Sequence, residues 1–287
     1  MYDLLIAPFV DFAFMRRSLL GAWMLAAGSS PLGVFLMLRR MSLTGDAMAH
    51  AILPGAALGF LFFGLELLPM TIGGVIAGLV VAFGSGAVAR LTVQKEDASL
   101  AAFYLISLAL GVLIVSARGT SVDLLQVLFG SVLSLDNPSL WLIGGVSAVT
   151  VVLLVGLWRA LVAECLDPLF FRSASRLGPY VHFAFLGIVV LNLVAGFQAL
   201  GTLMVVGLMM LPAAGARFWS SRVEVIVGLA LLIGLGSTAA GLLVSFHAGL
   251  PAGPAIILAA GVVYLISMVI GRRGLLASRT AHRHRTG

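Results

Sequence analysis

Charge is what this sequence lacks most. Asp, Glu, Lys and Arg make up 10% of its 287 residues while 61% are hydrophobic, against about 25% charged in a soluble domain. So few charges cannot cover a hydrated surface. With a mean hydropathy of +1.15, the chain is expected to be an all-α, polytopic membrane bundle. Its one cysteine, Cys165, excludes an intrachain disulfide framework and a Cys-rich zinc site. No GxxxxGK[ST] stretch occurs, so the chain carries no P-loop for ATP hydrolysis and no enzyme is expected. Nor does the net charge of +6 signal nucleic acid. The basic residues stand singly or in pairs at the ends of apolar runs, where they orient a chain in a bilayer. The 34 glycines suit closely packed membrane helices.

Apolar runs near the ~20 residues needed for a crossing fall at 18–38, 47–65, 69–89, 98–116, 138–158, 180–198, 202–219, 223–246 and 252–271. That gives eight or nine spans. The choice lies in 180–219, where Gly196, Gly201, Gly207 and Pro212 can break helices. The piece from Leu124 to Leu135, between Asp123 and Asp136, is too short to span and suits an interfacial or re-entrant helix. Residues 1–17 lack a signal-peptide layout and suit a segment lying on the membrane, 18–271 the spanning domain, and 272–287 a basic tail. Alternating the spans puts Arg39-Arg40, Arg90 with Lys95, Arg159 to Arg176, Arg217 with Arg222 and the tail on one side. The positive-inside rule makes that side, and the C-terminus, cytoplasmic.

Ionisable groups inside spans are costly and usually functional. SLTGDAMAHAILPG places Asp46 and His50 four residues apart, on one helix face about 6 Å apart along the axis. A carboxylate and an imidazole so placed can share a divalent ion such as zinc or manganese. They can equally be a helix start capped by Thr44 or Asp46, with His50 hydrogen-bonded in the bundle. Two ligands do not complete a coordination sphere, whereas a two-fold dimer presenting this helix at its axis would supply four. Weaker pathway candidates are Glu66 and His247 in short loops of the opposite side, and Glu96-Asp97 opening a span. His282 and His284 sit in the basic tail, which suits anionic lipid. In the loop at about 160–179, Asp167-Pro168 and Gly178-Pro179 bracket LFFRSASRL, a short helix across the membrane face. Its Leu169, Phe170 and Phe171 need cover, from a partner protein or from the bilayer.

These stretches resemble the metal-ion permeases of bacterial ATP-binding-cassette importers, the zinc, manganese and iron class. The similarity covers nearly the whole chain. GVFLMLRRMSLTGDAMAHAILPG is similar to that family's LRR-x-SL-x-GDA-x-x-H-A segment. LDP followed by a short helix to LG resembles its ATPase-docking segment, although Phe170-Phe171 and the Ser173/Ser175 spacing depart from it. GTLMVVGLMMLPAAGARFW and HAGLPAGPAIIL resemble two later signatures. The resemblance implies metal passage at Asp46 and His50, and an ATPase contact around Asp167, Pro168, Ala174 and Gly178. It further implies a second permease copy, a cytoplasmic ATPase dimer and an extracytoplasmic metal-binding protein. The expectation is an importer subunit of a bacterial inner membrane, with no permanent cofactor and zinc as cargo. Manganese or iron is the alternative within this architecture. A gradient-driven secondary transporter is the alternative of another class.

Overall fold

The computed structural model describes residues 2–64, 66–116, 132–166 and 178–276. Two short helices, α1 (Tyr2–Leu5) and α2 (Ala7–Asp11), lead into α3 (Ala13–Leu38). The first span therefore starts before residue 18: Phe12 is the extended residue separating α2 from α3, and the helix runs on through Arg16 and Arg17. Then come α4 (Thr44–Ala51), α5 (Leu53–Phe63), α6 (Leu67–Leu91), α7 (Glu96–Ser116), α8 (Asn137–Gly156) and α9 (Trp158–Leu166). The series ends with α10 (Gly178–Leu200), α11 (Thr202–Arg217), α12 (Val223–Ala248) and α13 (Ala252–Ile270). Of the 124–135 piece, only residues 132–135 are described. They open with a 3₁₀ turn, Val132–Ser134, whose Val132 carbonyl accepts the Ser18 hydroxyl at 2.9 Å.

Among the described residues, eight stretches are long and apolar enough to cross a membrane, with α4 and α5 counted as one. The 16-residue α11 is about 24 Å long, short of the roughly 30 Å core. The choice between eight and nine spans resolves into eight full-length spans and one short helix. Of the four candidate breakers, only Gly201 ends a helix. Its φ of 89° is a conformation that side chains avoid.

The apolar residues of α3 and α10 are buried on nearly all sides, so these two helices form the centre. Against α3 lie α8, α11 and α12, and α13 packs on α11 and α12. The group α5, α6 and α7 joins the centre where α6 packs on α10, and α4 lies against α7, α10 and α11. Close approach needs small residues: a Cβ on Gly33 of α3 would run into the Met209 carbonyl of α11. Hydroxyls bind the layers together. Ser30 of α3 donates to the Leu208 carbonyl of α11 at 3.1 Å.

The ends of the helices sort the charges. Arg273 donates its backbone N–H to the Phe218 carbonyl at 2.9 Å, joining the ends of α11 and α13. Met37, Leu38, Ile226, Arg217 and Arg273 line one recess, which brings in the end of α3 and the start of α12. Arg39 meets Glu164 of α9 and His182 of α10, and His182 faces Gly86 of α6. Arg39, Arg217, Arg222, Arg272 and Arg273 thus share one end of the bundle, called here the arginine face.

Candidate functional site

The second span begins with a turn. Leu36 and Met37 carbonyls accept the N–H groups of Met41 (2.9 Å) and Arg40 (3.1 Å), a hydrogen-bond pattern that closes α3 and sends the chain back inward. Thr44 then opens α4, which is only eight residues long. Pro54 lacks the N–H that would continue the ladder, so α4 and α5 are separate helices meeting at Ile52. Ser107 of α7 donates to the Ala51 carbonyl at 2.8 Å, satisfying an acceptor at this junction.

The junction fixes the depth of Asp46 and His50. Ile52 packs on Gly74 and Gly78 of α6, whose next neighbours are Val194 and Val190 of α10. Val190 lies about 18 Å along α10 at 1.5 Å per residue, in a helix of 23 residues. His50, two residues before Ile52, therefore sits near mid-depth, although α4 starts from the arginine face.

The His50 Nε2 and Asp46 Oδ1 atoms are 3.8 Å apart. That is too long for a hydrogen bond. Two donors each about 2.1 Å from one ion lie at most ~4.2 Å apart, so the separation is within the reach of a shared ion. Both face a cavity of about 360 Å³ shared with Thr202, Leu203, Val206, Gly207 and Met210 of α11. A Cβ on Gly45 would stand 3.0 Å from the Met210 methyl, which is how closely α11 approaches α4. The His50 Nδ1 is buried and has no hydrogen-bond partner among the described residues. Asp46 is 65% exposed and His50 30%, so the pair opens outward from a single copy. Among the described residues no three His, Cys, Asp or Glu side chains gather as a closed metal site.

The remaining candidates lie elsewhere. Glu66 precedes α6 and is exposed. His247 is exposed in the last turn of α12, edge-on to Phe246 at 5.3 Å. Both are at the end opposite the arginine face, and neither lines the cavity. Glu96 and Asp97 open α7 at the arginine face, and Asp97 does not line the cavity. Gly178 is buried as the first residue of α10. Asp167, Pro168, Ala174, His282 and His284 lie outside the described residues.

Two features escape sequence reasoning. One is α11's contribution to the cavity. GTLMVVGLMMLPAAGAR stands out as a motif, but only the fold sets its Thr202 and Met210 opposite Asp46 and His50. The other is a buried charged cluster. Arg39 donates from one guanidinium nitrogen to Glu164 at 2.5 Å, and its other terminal nitrogen lies 3.3 Å from His182 Nδ1. Its guanidinium carbon is 4.4 Å from the centre of the Phe185 ring. The Arg39, Glu164 and His182 side chains are 6%, 10% and 7% exposed. Beside them, burial pushes the Cys165 thiol up from its ordinary pKa, with Arg39 pulling the other way.

Comparison with known proteins agrees with this architecture. The chain is 28% identical over 260 residues to the manganese import system permease protein ScaB of Streptococcus gordonii, covering 91% of this chain and 92% of that one. It is 27% identical over 272 residues to a probable iron transport system membrane protein of Haemophilus influenzae, covering 95% and 98%. Among solved structures it superposes with a TM-score of 0.83 on PsaBC from Streptococcus pneumoniae in complex with Fab, at 27% identity over 95% of this chain and 97% of that one. These names carry manganese and iron; zinc, the expected cargo, finds no support in them. The model of the ABC 3 transport family matches residues 11–271, a match that sets aside the gradient-driven alternative. Nearly every helix described above falls inside it, and the chain belongs to the ABC 3 transport family.

Proposed function

We propose that the chain is the permease subunit of an ATP-binding-cassette importer that carries manganese into the cytoplasm, through a pore formed by two copies. The observation that carries this reading is the Asp46–His50 pair, 3.8 Å apart and facing a cavity whose α11 wall is mostly apolar. One carboxylate and one imidazole suit a divalent ion of hard to borderline character, and the manganese-named relatives favour Mn²⁺. The carboxylate offsets the ion's charge in a low-dielectric setting. The imidazole contributes a nitrogen donor, which binds a metal only in its neutral form. Ligands from one copy alone hold the ion loosely, and a passing ion must be able to leave.

The arginine face is cytoplasmic on this reading, in the inner membrane, with the C-terminus inside. A cytoplasmic ATPase supplies the energy through the 160–179 segment, and an extracytoplasmic binding protein delivers the ion at the opposite end, where Glu66 and His247 lie. Iron is the second reading, favoured by the iron-named relative. Zinc binds most such donor sets more tightly than manganese does, so it is expected to compete for the site whatever the cargo.

Uptake of Mn²⁺ by the permease reconstituted with its ATPase in vesicles tests this. Asp46→Ala and His50→Ala are each expected to lower uptake at least about tenfold while leaving the helical content unchanged. Undiminished uptake in both variants would sink the site, and uptake of Fe²⁺ in preference to Mn²⁺ would select the second reading.

A further inference from the structure

We infer that Arg39, Glu164 and His182 are positioning residues that tie the movement of the 160–179 segment to the Asp46–His50 pair. The inference rests on the proposed function and adds the route by which the ATPase reaches the ion.

The three residues come from three different elements. Arg39 is the residue that ends α3, and its backbone N–H closes the helix on the Phe35 and Met37 carbonyls. Glu164 lies in α9, three positions before Asp167, where the expected ATPase contact begins. His182 lies in the second turn of α10, which begins at Gly178. One guanidinium thus grips both chain ends that flank the segment: Glu164 at 2.5 Å and His182 at 3.3 Å. The guanidinium also lies over the Phe185 ring, 4.4 Å from its centre, where a cation is attracted to the ring face.

On its other side, Arg39 is joined to the ion-binding helix by a short and constrained connection. Arg40, with φ 62°, and the hydrogen bonds to Met41 and Arg40 set the turn. Thr44 donates its N–H to the Met41 carbonyl at 3.1 Å and begins α4 directly. Asp46 follows in that first turn. Pro54 interrupts the hydrogen-bond ladder just after the Ile52 junction where α4 meets α5, and such a proline is where one helix bends against the next. A pull on α9 therefore reaches Asp46 through one ion pair and one rigid turn.

Stability alone does not account for the cluster. A buried ion pair is commonly matched or exceeded in stability by an apolar pair of similar volume. What the charged pair adds is direction: a planar fork holds two partners at fixed angles. The Arg39 Nε remains buried without a hydrogen-bond partner among the described residues, so the fork is not fully satisfied in this state.

The test uses the full transporter, permease with its ATPase, in vesicles in which Mn²⁺ uptake and ATP hydrolysis are measured together. The double variant Arg39→Met with Glu164→Leu replaces the pair by apolar side chains and keeps the packing. It is expected to assemble, to hydrolyse ATP, and to take up about tenfold less Mn²⁺ per ATP than wild type. Arg39→Lys keeps the charge but loses the fork, and its uptake per ATP is expected to fall between the two. It also provides the reading should the double variant not assemble. Uptake per ATP within about twofold of wild type in an assembled variant overturns the inference. Absence of Mn²⁺ uptake by the wild-type transporter overturns the proposed function instead, and the inference with it.

Discussion

Arg40 is the residue among those described that holds a positive φ without being glycine. A left-handed conformation costs an ordinary residue about 1–2 kcal/mol, and the turn from α3 to α4 requires it here. Arg40→Gly removes the strain but adds freedom to the unfolded chain, so a net gain of about 1 kcal/mol is expected. A higher melting temperature in detergent would show it. At the other end of the bundle Asp136 caps α8, its carboxylate accepting the Ser139 N–H at 3.0 Å. Hydrogen bonds from the Ser139 hydroxyl, and then from its backbone, hold the Asp136 pKa below the ordinary 3.8. A lowered carboxylate pKa stabilises the fold above the unfolded value and loses that contribution as pH falls through the folded one. Asp136→Ala is therefore expected to cost about 1 kcal/mol at neutral pH. The difference from wild type should shrink below about pH 4 in melts recorded across the acid range.

Helix packing turns on the glycines, but only on some of them. A Cβ at Gly33 would strike the Met209 carbonyl, which is backbone and cannot swing aside, whereas one at Gly145 of α8 meets nothing within 4 Å. Gly33→Ala is expected to force α3 and α11 apart, lowering both melting temperature and metal uptake. Gly145→Ala should be neutral or stabilising by up to about 1 kcal/mol through helix propensity. Equal effects of the two changes would count against this account of the contact. Sequence alone does not separate these two glycines, since both stand in apolar runs. The same limit explains which parts of the fold were legible. Spans could be read because a crossing needs an apolar run of a fixed length, and the short α11 was already in doubt for its Gly201 and Pro212. The Asp46–His50 pair could be read because its spacing is local. Its depth could not, because it depends on Ile52 meeting α6 and α10. Arg39, Glu164 and His182 are far apart in the chain, and His182 alone looks like an interfacial residue. Met204, Met209 and Met210 look alike in sequence, yet the first two are buried in the core and the third lines the cavity.

At the scale of the whole molecule, a single copy leaves its proposed ion site unfinished. Asp46 is 65% exposed one helical turn from His50, and a carboxylate facing lipid inside a span would be costly. Two arrangements relieve that cost: a water-filled groove or a second copy of α4 across a two-fold axis. The axis brings two carboxylates and two imidazoles together, and four donors suit the coordination of one divalent ion better than two do. An isologous contact also places the same cavity wall, Leu203 and Met210 of α11, on both sides of the ion. The two arrangements differ in stoichiometry. A shared site holds one Mn²⁺ per two chains, while a groove in each copy holds one per chain. Metal content of the purified permease after removal of loosely bound ions, read by elemental analysis against protein mass, distinguishes them. The expected value is half an ion per chain, falling to none in Asp46→Ala. In assemblies mixed from wild-type and Asp46→Ala chains, affinity should drop for every mixed pair, because each ion would lose a ligand. One ion per chain, or full affinity in the wild-type half of a mixed pair, would leave the site to the single copy and refute the shared pore.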